Sequence, residues 1–187
     1  MRCPVMNKRQ FKGDIEKLRS PERIKMLEIE RVVELCLEQL FITKVLDVGC
    51  GSGLFAEAFA LRNLNVTGID KNPQMVKTAS NMVLSARFQE GTAEQLPFPD
   101  GSFDLVFLGH VLHESDAPLL TLQEACRVAT SRIAVLEWPY REENAGPPLA
   151  HRLSHDTIKK QVKKAGCVSL KKIELEHGVL YRMRPGR

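Results

Sequence analysis

The chain has 187 residues, 43% of them apolar and 27% charged, with a formal net charge of +4. That length suits one domain with a substantial core, and the composition excludes collagenous, disordered and disulfide-scaffold classes. No apolar run approaches the ~20 residues of a bilayer span, and Met1–Lys8 lacks a hydrophobic signal core, so a cytoplasmic protein is expected.

The first predicted element is a helix that starts at Ser20-Pro21, a capping serine followed by proline in the first turn. It continues through Ile24, Leu27, Val32, Val33, Cys36, Leu37 and Leu40 at roughly helical spacing. A strand over 44–48 follows, then a glycine turn, a helix over 54–62 and a second strand over 65–70. Pro73 opens a helix through Met75, Val76, Ala79 and Val83, and residues 87–90 form a short third strand. Phe103–Leu108 reads as a fully buried strand. A helix near 117–129 and a fifth strand over 132–138 come next. Pro139–Leu153 is the one loop long enough to be functional. Ser154 caps a lysine-rich helix ending at Gly166, and two strands, 168–175 and 179–183, flank the hairpin signal His177-Gly178. Alternating helices and strands predict an α/β fold: a Rossmann-like, doubly wound sheet of seven strands, mostly parallel, with an antiparallel C-terminal hairpin. One domain is expected, with residues 1–40 as a helical cap, 41–138 as a cofactor-binding core and 139–187 as the acceptor side.

The chemistry concentrates at Val45-Leu46-Asp47-Val48-Gly49-Cys50-Gly51-Ser52-Gly53. Glycine lacks a Cβ, so the chain bends sharply there and a ligand can approach bare backbone. The helix beginning at Leu54 turns free N–H groups and a partial positive charge toward that ligand. The second strand ends in Asp70, where a carboxylate can accept two charge-assisted hydrogen bonds from vicinal ribose hydroxyls. This is how a nucleoside-type cofactor is held. A dinucleotide fingerprint wants a third glycine where Leu54 stands, which argues against a nicotinamide oxidoreductase.

The string D-V-G-C-G-S-G resembles the cofactor loop of class I S-adenosylmethionine-dependent methyltransferases. The stretch Gly91-Thr92-Ala93-Glu94-Gln95-Leu96-Pro97-Phe98-Pro99-Asp100-Gly101-Ser102-Phe103-Asp104 resembles the adenine loop and fourth strand of the type 11 branch, which includes quinone-biosynthesis methyltransferases. The end of strand five, Leu136-Glu137-Trp138, and the segment Gly146–Ser154 resemble a small stand-alone subgroup of that branch with no settled substrate. The resemblance implies S-adenosylmethionine as cofactor and S-adenosylhomocysteine as product. It implies a cofactor site of Asp47, Gly49, Cys50, Gly51, Gly53, Asp70, Lys71, Met75, Thr92, Ala93, Glu94, Gly109 and His110. Asp47 orients the glycine loop or meets the methionine ammonium. Thr92 stands where the branch usually has an acid for the adenine amino group, so that contact falls to Thr92 or Glu94. Cys50 fills space.

His110 and His113, in Gly109-His110-Val111-Leu112-His113-Glu114 after the fourth strand, are the candidates for a general base, with His113 and Glu114 one helical turn on. Trp138, Tyr140, His151 and Arg152 are candidates for an acceptor pocket. No N/D-P-P-Y/F tetrapeptide follows the fourth strand, which disfavours nucleobase N-methylation and leaves a small-molecule acceptor. Cys3, Cys36, Cys50, Cys126 and Cys167 are odd in number, scattered and free of any C-x-x-C pair, so reduced thiols are expected, with no disulfide framework and no metal site. Residues 151–187 carry ten Lys/Arg against three Asp/Glu, and Lys159, Lys160, Lys163 and Lys164 share one helix face. Without Phe, Tyr or Trp in 141–180 this reads as a solvated face, with an RNA methyltransferase as the alternative. A non-catalytic cofactor-binding module is the other alternative. A monomer or homodimer is expected.

Overall fold

The computed structural model describes residues 16–186. The reading of Met1–Lys8, and Cys3 with it, lies outside them. Seven strands form one sheet: β1 (Lys44–Val48), β2 (Asn65–Asp70), β3 (Arg87–Glu90), β4 (Phe103–Gly109), β5 (Ala129–Glu137), β6 (Cys167–Glu174) and β7 (Val179–Pro185). Among the described residues six α-helices flank it: α1 (Pro21–Met26), α2 (Ile29–Leu37), α3 (Leu54–Ala60), α4 (Pro73–Met82), α5 (Pro118–Val128) and α6 (His155–Lys164). The strand order is β3-β2-β1-β4-β5-β7-β6, parallel except for β7, which runs antiparallel to β5 and β6. The expected doubly wound sheet with its terminal hairpin is what the chain forms.

Successive side chains of a strand point to opposite faces, and β4 shows both cores. Val106 and Leu108 join Leu46, Leu122 and Ile158 under α5 and α6. Leu105 and Phe107 join Val33, Phe59 and Leu180 under α2 and α3. Arg132 on β5 and Arg182 on β7 reach under α2 and donate to the Leu35 carbonyl, with Arg132 also bonding Cys36 O and Glu38 O. These arginines satisfy carbonyls that the end of α2 leaves unpaired.

Three expectations need correction. The single N-terminal helix is two, broken at Leu27-Glu28, where Glu28 takes a left-handed φ of 46°. Ser20 caps α1 as its sequence implies. Leu27 and Ile29 are both buried on either side of the bend, so α1 folds away from α2 rather than extending it. The fifth strand begins at Ala129, three residues before the expected start at Arg132, because Ala129 pairs with Phe103 across a bulge. Cys126 on α5 and Cys167 on β6 form a disulfide; packing of these elements brings their Cα atoms to 6.4 Å across 41 residues, a proximity that spacing does not encode. Cys36 and Cys50 are free thiols.

Candidate active site

The strand order switches direction between the parallel neighbours β1 and β4, and the crevice at the carboxyl ends of strands at such a switch is where open α/β sheets bind ligands. There the Gly49 and Cys50 N–H groups both donate to Ile69 O on β2, at 2.7 and 3.1 Å. Gly51 N–H donates to Asp70 Oδ2 at 2.9 Å, while Asp70 Oδ1 accepts from Asn72 N–H at 2.9 Å. Asn72 in turn caps α4 through Gln74 N–H. The carboxylate thus fixes both the glycine turn and the start of α4, and each oxygen keeps acceptor capacity for a ligand hydroxyl.

Gly49 has φ +66°, and a Cβ there would sit 2.3 Å from Val111 Cγ2. Gly53 behaves differently. Its φ is +79°, but a Cβ would meet Ala79, Val83 and Phe88 at 3.2 Å. It lets α3 start against α4 and β3 and does not line the crevice, which corrects its expected place in the cofactor site.

The crevice is a cavity of about 1180 Å³, above the ~300–1,000 Å³ usual for ligand pockets. It therefore has room for a nucleoside-sized cofactor beside a second small molecule. Asp47, Gly49, Cys50, Gly51, Asp70, Lys71, Met75, Ala93, Glu94, Gly109, His110 and His113 all line it. Thr92 does not; it pairs in a bridge with Gln95 and turns out of the wall. Of the two residues considered for the adenine amino group, only Glu94 reaches the cavity, its Oε1 accepting from Ser115 Oγ at 2.6 Å. Asp47 is 2% exposed, and its Oδ2 finds no hydrogen-bond partner among the described residues. Burial, reinforced by the charge of Asp70, pushes its carboxyl up to about 8, against a hydrogen bond from the Ala56 backbone. Burial and the same two carboxylates push the Cys50 thiol up, which keeps it protonated and fits its space-filling reading.

The other half of the cavity is built by the ends of β4 and β5. His110 follows β4 with φ +60°, donates its N–H to Leu136 O at 2.8 Å, and lays its ring 4.6 Å from the Trp138 indole. Both ring nitrogens lack a hydrogen-bond partner among the described residues. Burial, then the neighbouring His113 and Arg23, hold this imidazole well below its ordinary value, so it is neutral. Residues 111–115 form one tight turn, with Ser115 N–H bonding Val111 O, and not the start of a helix. That turn directs His113 at Glu137 rather than down a helix face. Its N–H donates to Glu137 Oε1 at 3.0 Å, and its ring Nδ1 lies 2.7 Å from Oε2. Nε2 stands 3.9 Å from Glu114 Oε1. Burial would lower the His113 value, but the Glu137 hydrogen bond and the charges of Glu137 and Glu114 outweigh it and raise it.

The loop after β5 closes this end. Trp138, Gly146, Pro147, Pro148 and His151 line the cavity. Gly146 packs so tightly on the indole that a Cβ would lie 2.7 Å from its ring atoms. Arg152 works from behind: its guanidinium donates to the carbonyls of Pro139, Arg141, Ala145 and Pro147 at 2.7–3.0 Å. Tyr140 is exposed and lies outside the lining. So Trp138 and His151 line the cavity, while Arg152 shapes the loop and Tyr140 does neither. Sequence reasoning missed Glu137 and Arg23, which also borders the cavity. Glu137 carries the signal that revealed Asp70, a lone acid ending an apolar strand.

A doubly wound sheet with a glycine turn after β1 and a carboxylate ending β2 defines a nucleoside-cofactor crevice of the class I methyltransferase type. Over residues 46–132 the chain matches the family described as "Methyltransferase domain". It is 39% identical over 90 residues to the uncharacterized methyltransferase YcgJ of Bacillus subtilis, covering 46% of this chain and 36% of that protein. Over 111 residues it is 35% identical to the 2-methyl-6-phytyl-1,4-hydroquinone methyltransferase of Synechocystis, covering 56% of this chain and 35% of that one. The chain thus spans little more than a third of the length of these relatives. In fold it is similar to a crystal structure of a SAM-dependent methyltransferase from Aquifex aeolicus, with TM-score 0.82, 24% identity, and 92% and 98% of the two chains covered.

The residues present fit that cofactor. Bare backbone at Gly49 and Gly51, the Asp70 carboxylate, the Asp47 carboxyl with its Oδ2 unpartnered among the described residues, and the buried Met75 meet in one cavity. No helix among the described residues is long and apolar enough to cross a membrane, and no cluster of His, Cys, Asp or Glu among them could hold a metal ion.

Proposed function

We propose that the chain transfers a methyl group from S-adenosylmethionine to a small-molecule acceptor by in-line displacement. Bound, the cofactor supplies a methyl carbon on a sulfonium that is already a good leaving group. The protein's work is then binding, alignment and exclusion of water. Asp70 accepts the sugar hydroxyls, Met75 covers the base, Ala93 N–H and Glu94 meet its edge, and Asp47 meets the ammonium. Lys71 borders the sugar, and Gly109 leaves the approach between the two halves open. His110, His113, Trp138 and His151 surround the acceptor. The observation that carries this reading is the junction of the glycine turn with Asp70 beside the Asp47 carboxyl, whose Oδ2 has no hydrogen-bond partner among the described residues. Lys159, Lys160, Lys163 and Lys164 are exposed and absent from the cavity wall, which favours a small molecule over RNA.

Calorimetry with S-adenosylhomocysteine tests it: micromolar binding is expected, weakened at least ~100-fold by Asp70→Ala, as two lost hydrogen bonds to a charged group imply. Wild-type affinity in Asp70→Ala removes Asp70 from the site, and NADH bound in place of S-adenosylhomocysteine refutes the reading.

A further inference from the structure

We propose that His113, oriented by Glu137, is the general base of this site and that the acceptor is therefore a protic nucleophile, an O–H or N–H group that must lose its proton. The inference rests on the methyltransferase reading above. It starts from geometry: Glu137 is 1% exposed, and both its oxygens are spent on one residue, the backbone N–H and the Nδ1 of His113. A buried carboxylate in that position fixes which imidazole nitrogen carries the proton, leaving Nε2 as the acceptor, and stabilises the cation formed when Nε2 is protonated. His113 lines the cavity, and Nε2 is the ring atom turned from Glu137.

The groups facing this imidazole are Glu137 from β5, Glu114 from its own turn, Arg152 from the loop, and His110, whose ring centroid lies 6.5 Å away. The carboxylates outweigh Arg152, so His113 is the more basic of two histidines whose surroundings push them apart. His110, neutral and with both ring nitrogens unpartnered among the described residues, is left to hydrogen-bond the acceptor and position it. In the transfer, the acceptor's oxygen or nitrogen bonds the methyl carbon, the carbon–sulfur bond breaks with its pair going to sulfur, and the acceptor's proton goes to His113 Nε2. Sulfonium, neutral acceptor and neutral imidazole become thioether, methylated acceptor and imidazolium. An acceptor with no proton to lose, such as a thioether or tertiary amine, would have no use for such a pair.

The experiment has three readings. Calorimetry with S-adenosylhomocysteine comes first: no binding ends the methyltransferase reading itself. On protein that binds, histidine ¹⁵N NMR should show His113 protonated at Nδ1 and titrating above free histidine, with Glu137→Gln lowering its midpoint by a unit or more. Transfer from methyl-labelled S-adenosylmethionine is then measured to catechol, 4-nitrophenol, histamine, trimethylamine and dimethyl sulfide. Label is expected only on the first three. Glu137→Gln and His113→Gln should each lower kcat at least 30-fold and leave S-adenosylhomocysteine affinity within twofold, with His113→Gln removing the acidic limb of the pH profile and Glu137→Gln moving it to lower pH. The proposal is overturned by an unshifted His113 midpoint in Glu137→Gln, by an unchanged rate and pH profile in the variants, by equal labelling of the aprotic acceptors, or by labelling of none.

Discussion

Replacing Asp47 by asparagine separates what this carboxyl costs the folded chain from what it gives a ligand. Burial, with the charge of Asp70 behind it, pushes the carboxyl up to about 8, whereas an unfolded aspartate titrates near ~3.9. Between those values the folded chain holds a proton that the unfolded chain has released. Stability therefore falls as pH rises through that window, by at most ~1.4 kcal/mol per unit. From pH 4 to 7 the limit is ~4 kcal/mol, and relaxation around the orphaned Oδ2 reduces it, so Asp47→Asn is expected to gain about 2–4 kcal/mol at pH 7. For a chain of this length that is a rise in Tm of about 5–10 °C. Thermal unfolding of ligand-free protein from pH 5 to 8 should show wild type losing stability with pH and the variant losing much less. Calorimetry with S-adenosylhomocysteine in two buffers of different ionisation enthalpy should show wild type releasing up to ~0.9 proton at pH 7 as the ammonium ionises Asp47. The variant should release none from this site and bind more weakly. Equal slopes of stability against pH in the two proteins would refute the assignment of a neutral carboxyl.

His110 works in the opposite direction: its lowered value means that the unfolded state binds the extra proton, so stability falls as pH drops below about 6.5. His110→Gln should flatten that acid loss in thermal scans. Gly49→Ala places a Cβ at 2.3 Å from Val111 in a left-handed backbone and should cost about 2–4 kcal/mol. Adding Val111→Ala should recover only the clash, which chemical denaturation can resolve. Arg152→Ala leaves four loop carbonyls without their shared donor, so a loss of about 2–4 kcal/mol and new proteolytic cleavage between Pro139 and Leu153 are expected. Arg152→Lys should not restore the loop, because one ammonium cannot present the same fork.

The sheet was readable because its signals are local. Buried strands, a glycine turn and capping residues such as Ser20 and Ser154 each act within a few positions of themselves, and the structure uses both serine caps. The failures are contacts between distant segments. Leu27-Glu28 sits inside an uninterrupted helical period, and only the burial of Leu27 and Ile29 on either side of a bend ends α1 there. Gly53 looks like its neighbours in the string, yet the atoms that require its small size belong to Ala79, Val83 and Phe88. Cys126 and Cys167, like Arg152 and its four carbonyls, depend on how loops and helices return to the sheet.

One regularity does connect the legible and illegible parts of the site. Asp47, Asp70 and Glu137 all stand at or next to the carboxyl ends of their strands, and in a parallel sheet those ends open onto one crevice. On β1 and β2, the acids stand beside the glycine turn. On β5, across the switch in strand order, Glu137 reaches the other end of the same cavity through His113. Strand order thus places the acids at opposite ends of one cavity. An acid closing an apolar strand is a sign of function even where no glycine follows it, because burying a charge there is costly unless a partner or a ligand uses it.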